Sequence, residues 1–117
     1  DGSAKRPFCY IADAIAAFII LLVKGNKGEA YNMTNTDMFI SVYELACTIA
    51  SLEPDTHLQV IRKKRSDEDA YLENRLNHAN CPGSEKLKRL GWKCEYDVRR
   101  GFSQVLAYYR EKEQING

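Results

Sequence analysis

An α/β fold is predicted for this chain from three observations. Short strand-like runs alternate with helix-forming stretches, residues 14–23 are almost wholly apolar, and Ser41 with Glu44 spells out a helix start. At 117 residues there is room for one unit with one core, 1–117, and too little for a dinucleotide-binding domain plus a substrate domain. A formal net charge of +1 supplies no general field that would draw the chain to nucleic acid or to a membrane surface.

The elements follow in order. Ala14 to Val23 is about half the roughly 20 residues that cross a bilayer, so it reads as a buried helix and not as a membrane span. Asp13 is expected to cap its first turn, and Lys24-Gly25 to end it with a cation beside the C-terminal dipole and a glycine stop. A helix apolar on every side expects neighbours on every side. Glu29 to Thr34 reads as a strand, the Tyr31 strand, expected to pair in parallel with another, and Asn35-Thr36-Asp37 as the turn that ends it. Ser41 as N-cap, Glu44 as its capping-box partner and Ile40 packing on Leu45 open the next helix. Val42, Leu45, Ile49 and Leu52 form its stripe, and Pro54 stops it. Leu58 to Ile61 is a second strand candidate, and 62–80 a polar irregular excursion. Ser84 to Leu90 is a short helix closed by Gly91. Asp97 then caps a final helix with Val98, Phe102, Val105, Leu106 and Tyr109 on one side.

Four cysteines, Cys9, Cys47, Cys81 and Cys94, are spaced without a Cys-x-x-Cys pair and read as reduced thiols of a cytoplasmic protein. His78, Cys81 and Cys94 lack a fourth ligand at zinc spacing, so no metal is expected. Asn32-Met33-Thr34 matches a glycosylation sequon by chance. The basic run Arg62 to Arg65 is cancelled by Asp67, Glu68 and Asp69 and reads as a solvated charge run, with no nucleic-acid partner.

Four segments in series cover nearly the whole chain. They are Arg6-Pro7-Phe8-Cys9-Tyr10-Ile11-Ala12-Asp13 after Asp1-Gly2, then Gly28-Glu29-Ala30-Tyr31-Asn32, then Ser41-Val42-Tyr43-Glu44-Leu45-Ala46, and last Ser84-Glu85-Lys86-Leu87 through Leu90-Gly91-Trp92 with Gly101. Together they resemble the NAD-dependent sugar-nucleotide epimerase, dehydratase and decarboxylase family, the extended short-chain dehydrogenases. The wording is nearest to the UDP-glucuronate decarboxylase and dTDP-glucose dehydratase branch. The resemblance implies the C-terminal, substrate-side part of an extended Rossmann-type enzyme, incomplete as a fold on its own. In the whole enzyme it implies oxidation of the sugar by bound NAD, then epimerisation, dehydration or decarboxylation, then return of the hydride.

The resemblance also implies site residues. The arginine at the place of Arg6 grips the diphosphate of the nucleotide-sugar substrate, and its planar fork suits that contact. Arg75 is a candidate for the family's second diphosphate arginine, whereas the acidic position that would hold the ribose falls on Gly83. Tyr10 and Asp13 share the first motif but are explained by core packing and helix capping.

Tyr108 and Lys112 repeat the Tyr-x-x-x-Lys spacing of the family's catalytic pair. They fall in the terminal helix, while the family's pair lies upstream of every segment seen here, so no catalytic residue is assigned. No glycine-rich turn occurs, so no NAD is expected on this chain alone. Self-association through apolar helix surface is expected of it instead. The rival reading is a stand-alone, non-catalytic module for sugar-nucleotide or protein-partner binding.

Overall fold

The computed structural model describes residues 1–64, 66–68 and 81–116. Its elements are β1 (Lys5–Pro7), α1 (Ile11–Lys24), β2 (Phe39–Ser41), α2 (Val42–Ser51), α3 (Glu85–Arg89) and α4 (Val98–Asn116). The fold is mixed α/β. Among the described residues its sheet is a two-stranded antiparallel ribbon, with Lys5 opposite Ser41, Arg6 opposite Ile40 and Pro7 opposite Phe39.

Local grammar is obeyed where it is strongest. The Ser41 hydroxyl accepts from the Glu44 amide at 3.0 Å while the Glu44 carboxylate accepts from the Ser41 amide at 2.7 Å, which is the capping box in full. Those bonds also hold the Glu44 carboxyl below its usual range. Gly91 takes a φ of +102°, as a glycine stop after α3 requires. The Asp97 carboxylate accepts from the Arg100 amide at 2.7 Å at the start of α4. Gly25 ends α1 in an extended conformation. Glycine is needed there for space, since a Cβ would lie 2.5 Å from the Leu21 carbonyl oxygen.

Elements that depend on distant partners depart from expectation. Residues 29–34 are not a strand, and no parallel pairing occurs among the described residues. Their carbonyls are taken by side chains instead: Lys86 Nζ donates to Ala30 O at 3.0 Å and the Ser84 hydroxyl to Thr34 O at 2.9 Å. Lys86 also sits 3.0 Å from the Glu29 carboxylate and 4.4 Å from the Tyr31 ring centroid. A segment so tethered offers no ladder. Residues 58–61 likewise form no strand, and Leu58 and Ile61 are exposed. Val42 of the α2 stripe and Tyr109 of the α4 stripe are exposed too, being at helix positions that no packed element reaches.

The core is small. Ala17 of α1, Leu87 of α3 and Trp92 form its buried centre, with Cys9, Ile20, Leu21, Tyr31, Met33 and Cys94 packed around them. Helix α1 buries only Asp13, Ala14 and Ala17, so most of its apolar surface is left without the neighbours it expects, in line with the exposed helix surface read from the sequence. Ile11, Ile15, Phe18, Ile19, Leu22 and Val23 remain open, Leu22 at 87 % exposure. No helix among the described residues is long and apolar enough to cross a membrane.

Candidate functional site

The site builds outward from the corner where β1 runs into α1. Alternation along a strand puts Arg6 and Phe8 on one side of it, and the Phe8 amide extends the ribbon by donating to Met38 O at 3.3 Å. Phe8 lines a cavity of about 250 Å³ with Tyr10, Met38, Tyr96, Phe102 and Val105. Tyr10 packs its ring 4.5 Å from that of Tyr96 and donates its hydroxyl to Gln104 at 3.1 Å. Gly101 of α4 is required by this contact, because a Cβ there would fall 2.8 Å from the Tyr10 ring. The packing role expected of Tyr10 is thus met.

Asp13 does something the sequence does not disclose. It is buried, and its carboxylate leaves its own helix uncapped to accept from the Glu95 amide at 3.0 Å and the Tyr96 amide at 3.1 Å. Its carbonyl accepts from the Trp92 indole at 2.8 Å. One residue therefore clasps the whole 92–96 segment onto the start of α1. The capping expectation is corrected: Asp13 lies inside the first turn, with Tyr10 at the cap position, so its carboxylate reaches sideways. Truncation to alanine leaves two part-buried amides without their carboxylate and removes charge-assisted bonds, a loss of about 2 kcal/mol. Urea unfolding of Asp13→Ala should show it, with Asp13→Asn intermediate; a loss below about 0.5 kcal/mol would mean that water replaces the carboxylate at no cost.

Arg6 is half-buried on β1, and its guanidinium donates to the Lys5 carbonyl at 2.7 Å. Arg75, the second expected diphosphate arginine, lies outside the described residues. His78 and Arg65 also lie outside them. Arg62 is occupied locally, 3.9 Å from the Asp1 carboxylate and 4.8 Å from the Tyr43 ring centroid. Tyr108 is exposed on α4, its ring edge-on to Tyr109.

The corner does not fit a dinucleotide. A pyrophosphate approaches a helix N-terminus over glycine, and here the turn into α1 is Phe8-Cys9-Tyr10, with no glycine in it. The aromatic-walled cavity suits a flat or apolar group.

No protein-family model matches the chain. It is 33 % identical over 113 residues to the dTDP-D-glucose 4,6-dehydratase of Mus musculus, an alignment covering 95 % of this chain and 31 % of that protein. The Homo sapiens protein of the same name is 32 % identical over 113 residues, with the same coverage of 95 % and 31 %. A trifunctional UDP-glucose 4,6-dehydratase, epimerase and reductase of Arabidopsis thaliana is 24 % identical over 116 residues, 97 % of this chain and 16 % of that protein. This chain is a homologue of the sugar-nucleotide 4,6-dehydratases. The dehydratase homologue spans about a third of the length of the curated dTDP-glucose dehydratases it matches. Of the branches that the sequence motifs suggest, these relatives carry the dehydratase names.

Proposed function

We propose that the dehydratase homologue is the substrate-side, C-terminal portion of an NAD-dependent sugar-nucleotide 4,6-dehydratase of the extended Rossmann type, acting in the cytoplasm. It contributes grip on the diphosphate of the nucleotide sugar through Arg6 and Arg75. The observation that carries this reading is an alignment over nearly the whole chain to only a third of each dTDP-glucose dehydratase relative. The Arg6 corner supports the anion-binding role, and the bare apolar side of α1 supports a second polypeptide portion resting on it. Cofactor binding and proton transfer belong to that other portion, since the turn into α1 lacks the glycines over which a pyrophosphate approaches a helix N-terminus.

The test compares the chain alone with the chain made together with the part of its reading frame that corresponds to the rest of the relatives. Alone, it should bind no NAD in calorimetry and should self-associate in sedimentation through α1. Joined to the rest, it should be monodisperse at α1 and bind both NAD and a nucleotide sugar. A chain that alone stays monomeric and binds NAD at micromolar concentration, with binding lost in Tyr108→Phe or Lys112→Ala, overturns the reading.

A further inference from the structure

Met38 stands where three parts of the molecule meet. Its carbonyl accepts from the Phe8 amide at 3.3 Å at the end of β1, and its own amide donates to the Asn35 carbonyl at 3.2 Å. Its thioether sulfur accepts from the amide of Val98, the first residue of α4, at 3.1 Å. That amide is one of the donors that a helix start leaves without an intrahelical partner. The Asp97 carboxylate satisfies another, that of Arg100. The Met38 side chain also lines the half-open cavity with Phe8, Tyr96 and Phe102. We propose that Met38 is a modification site, where hydrogen peroxide converts the thioether to its sulfoxide and so loosens the start of α4 from the β1 corner.

The chemistry needs only the oxidant. A sulfur lone pair attacks one oxygen of hydrogen peroxide, the oxygen–oxygen bond breaks, and the other oxygen departs as hydroxide. The hydroxyl now on sulfur gives its proton to that hydroxide, so the products are the sulfoxide and water. Sulfur loses two electrons, and the peroxide gains them.

Selectivity follows from the surroundings. A thioether sulfur carries two lone pairs, and attack through one or the other gives one or the other sulfoxide epimer. The Val98 amide engages one of them, so oxygen adds on the other and a single epimer forms in the folded chain. The other methionine, Met33, packs against the Ala17, Leu87 and Trp92 centre, where peroxide meets it later. Oxidation then costs the fold twice. It sets a polar oxygen in a lining that is mostly aromatic and aliphatic, and it leaves a positively polarised sulfur that is a poorer acceptor for the Val98 amide.

The experiment treats the whole chain with hydrogen peroxide, in native buffer and separately in urea, and maps the products by mass spectrometry. Dithiothreitol afterwards reverses disulfide and sulfenic oxidation of the cysteines and leaves the sulfoxide in place. Met38 should oxidise several-fold faster than Met33 in native buffer and at the same rate in urea. Of the two methionine sulfoxide reductases, each acting on one epimer, a single one should restore the native product, whereas the urea product should need both. The oxidised chain should melt a few degrees lower, and the effective reductase should reverse the shift. Met38→Leu should abolish the response of the melting temperature to peroxide. If that variant does not fold, wild type before oxidation, after it and after reduction gives the same comparison. Equal oxidation of Met33 and Met38 in native buffer would overturn the proposal. So would equal amounts of the two epimers there, or an oxidised chain that melts as the untreated one does.

Discussion

Replacing Trp92 with alanine is expected to cost about 3–5 kcal/mol and to leave the chain largely unfolded at physiological temperature. Trp92 is 1 % exposed and shares the buried centre with Leu87 and Ala17. That centre joins α1, α3 and the 92–96 segment, so a void there loosens three parts at once. A chain that leaves six large apolar side chains of α1 in water has little stability to spare. Trp92→Phe separates the two contributions of the indole. It keeps most of the packing and loses only the hydrogen bond to the Asp13 carbonyl, a deficit of about 1–2 kcal/mol. The measurement is urea unfolding followed by far-ultraviolet circular dichroism, since the substitution removes the only tryptophan of the chain. Equal losses in the two variants would place the stabilisation in the hydrogen bond; a negligible loss in Trp92→Ala would show that the core lies elsewhere.

What could be read from the sequence was what is decided within a few residues. The Ser41 and Glu44 box, the Asp97 cap, the Gly91 stop and the end of α1 at Lys24 each depend on neighbours no more than four positions away. The β1–β2 ribbon escaped because three-residue strands are too short to show a period of two. The 29–34 segment has the residue types of a strand, yet its carbonyls are claimed by Lys86 and Ser84, more than fifty positions ahead for Ala30. Asp13 offered a local explanation that was wrong, because its partners Glu95 and Tyr96 lie 82 and 83 residues away. Arg6 was singled out through its motif alone, whereas the cavity lined by Phe8 needs Tyr96 and Phe102 brought back onto it by that clasp.

Arg6 carries the functional half of the proposed reading, under which Arg6→Ala is expected to weaken nucleotide-sugar binding in the complete protein roughly ten- to over a hundredfold. The contact removed would be charge-assisted and bidentate, worth about 1.5–3 kcal/mol. Its position favours such a role. The residue is fixed on β1 opposite Ile40, and the backbone it grows from is held by the ribbon, while its guanidinium donates to the Lys5 carbonyl. Lysine should recover part of the loss, because a point charge supplies attraction without the fork. Since the diphosphate is remote from the sugar carbons that react, the effect should fall mainly on KM, with a smaller change in kcat at saturation. Structural damage would show instead as a lower melting temperature, and Arg6→Lys with wild-type stability but intermediate KM separates the two. An unchanged KM in Arg6→Ala would remove the residue from the diphosphate site while leaving the homology to the dehydratases intact.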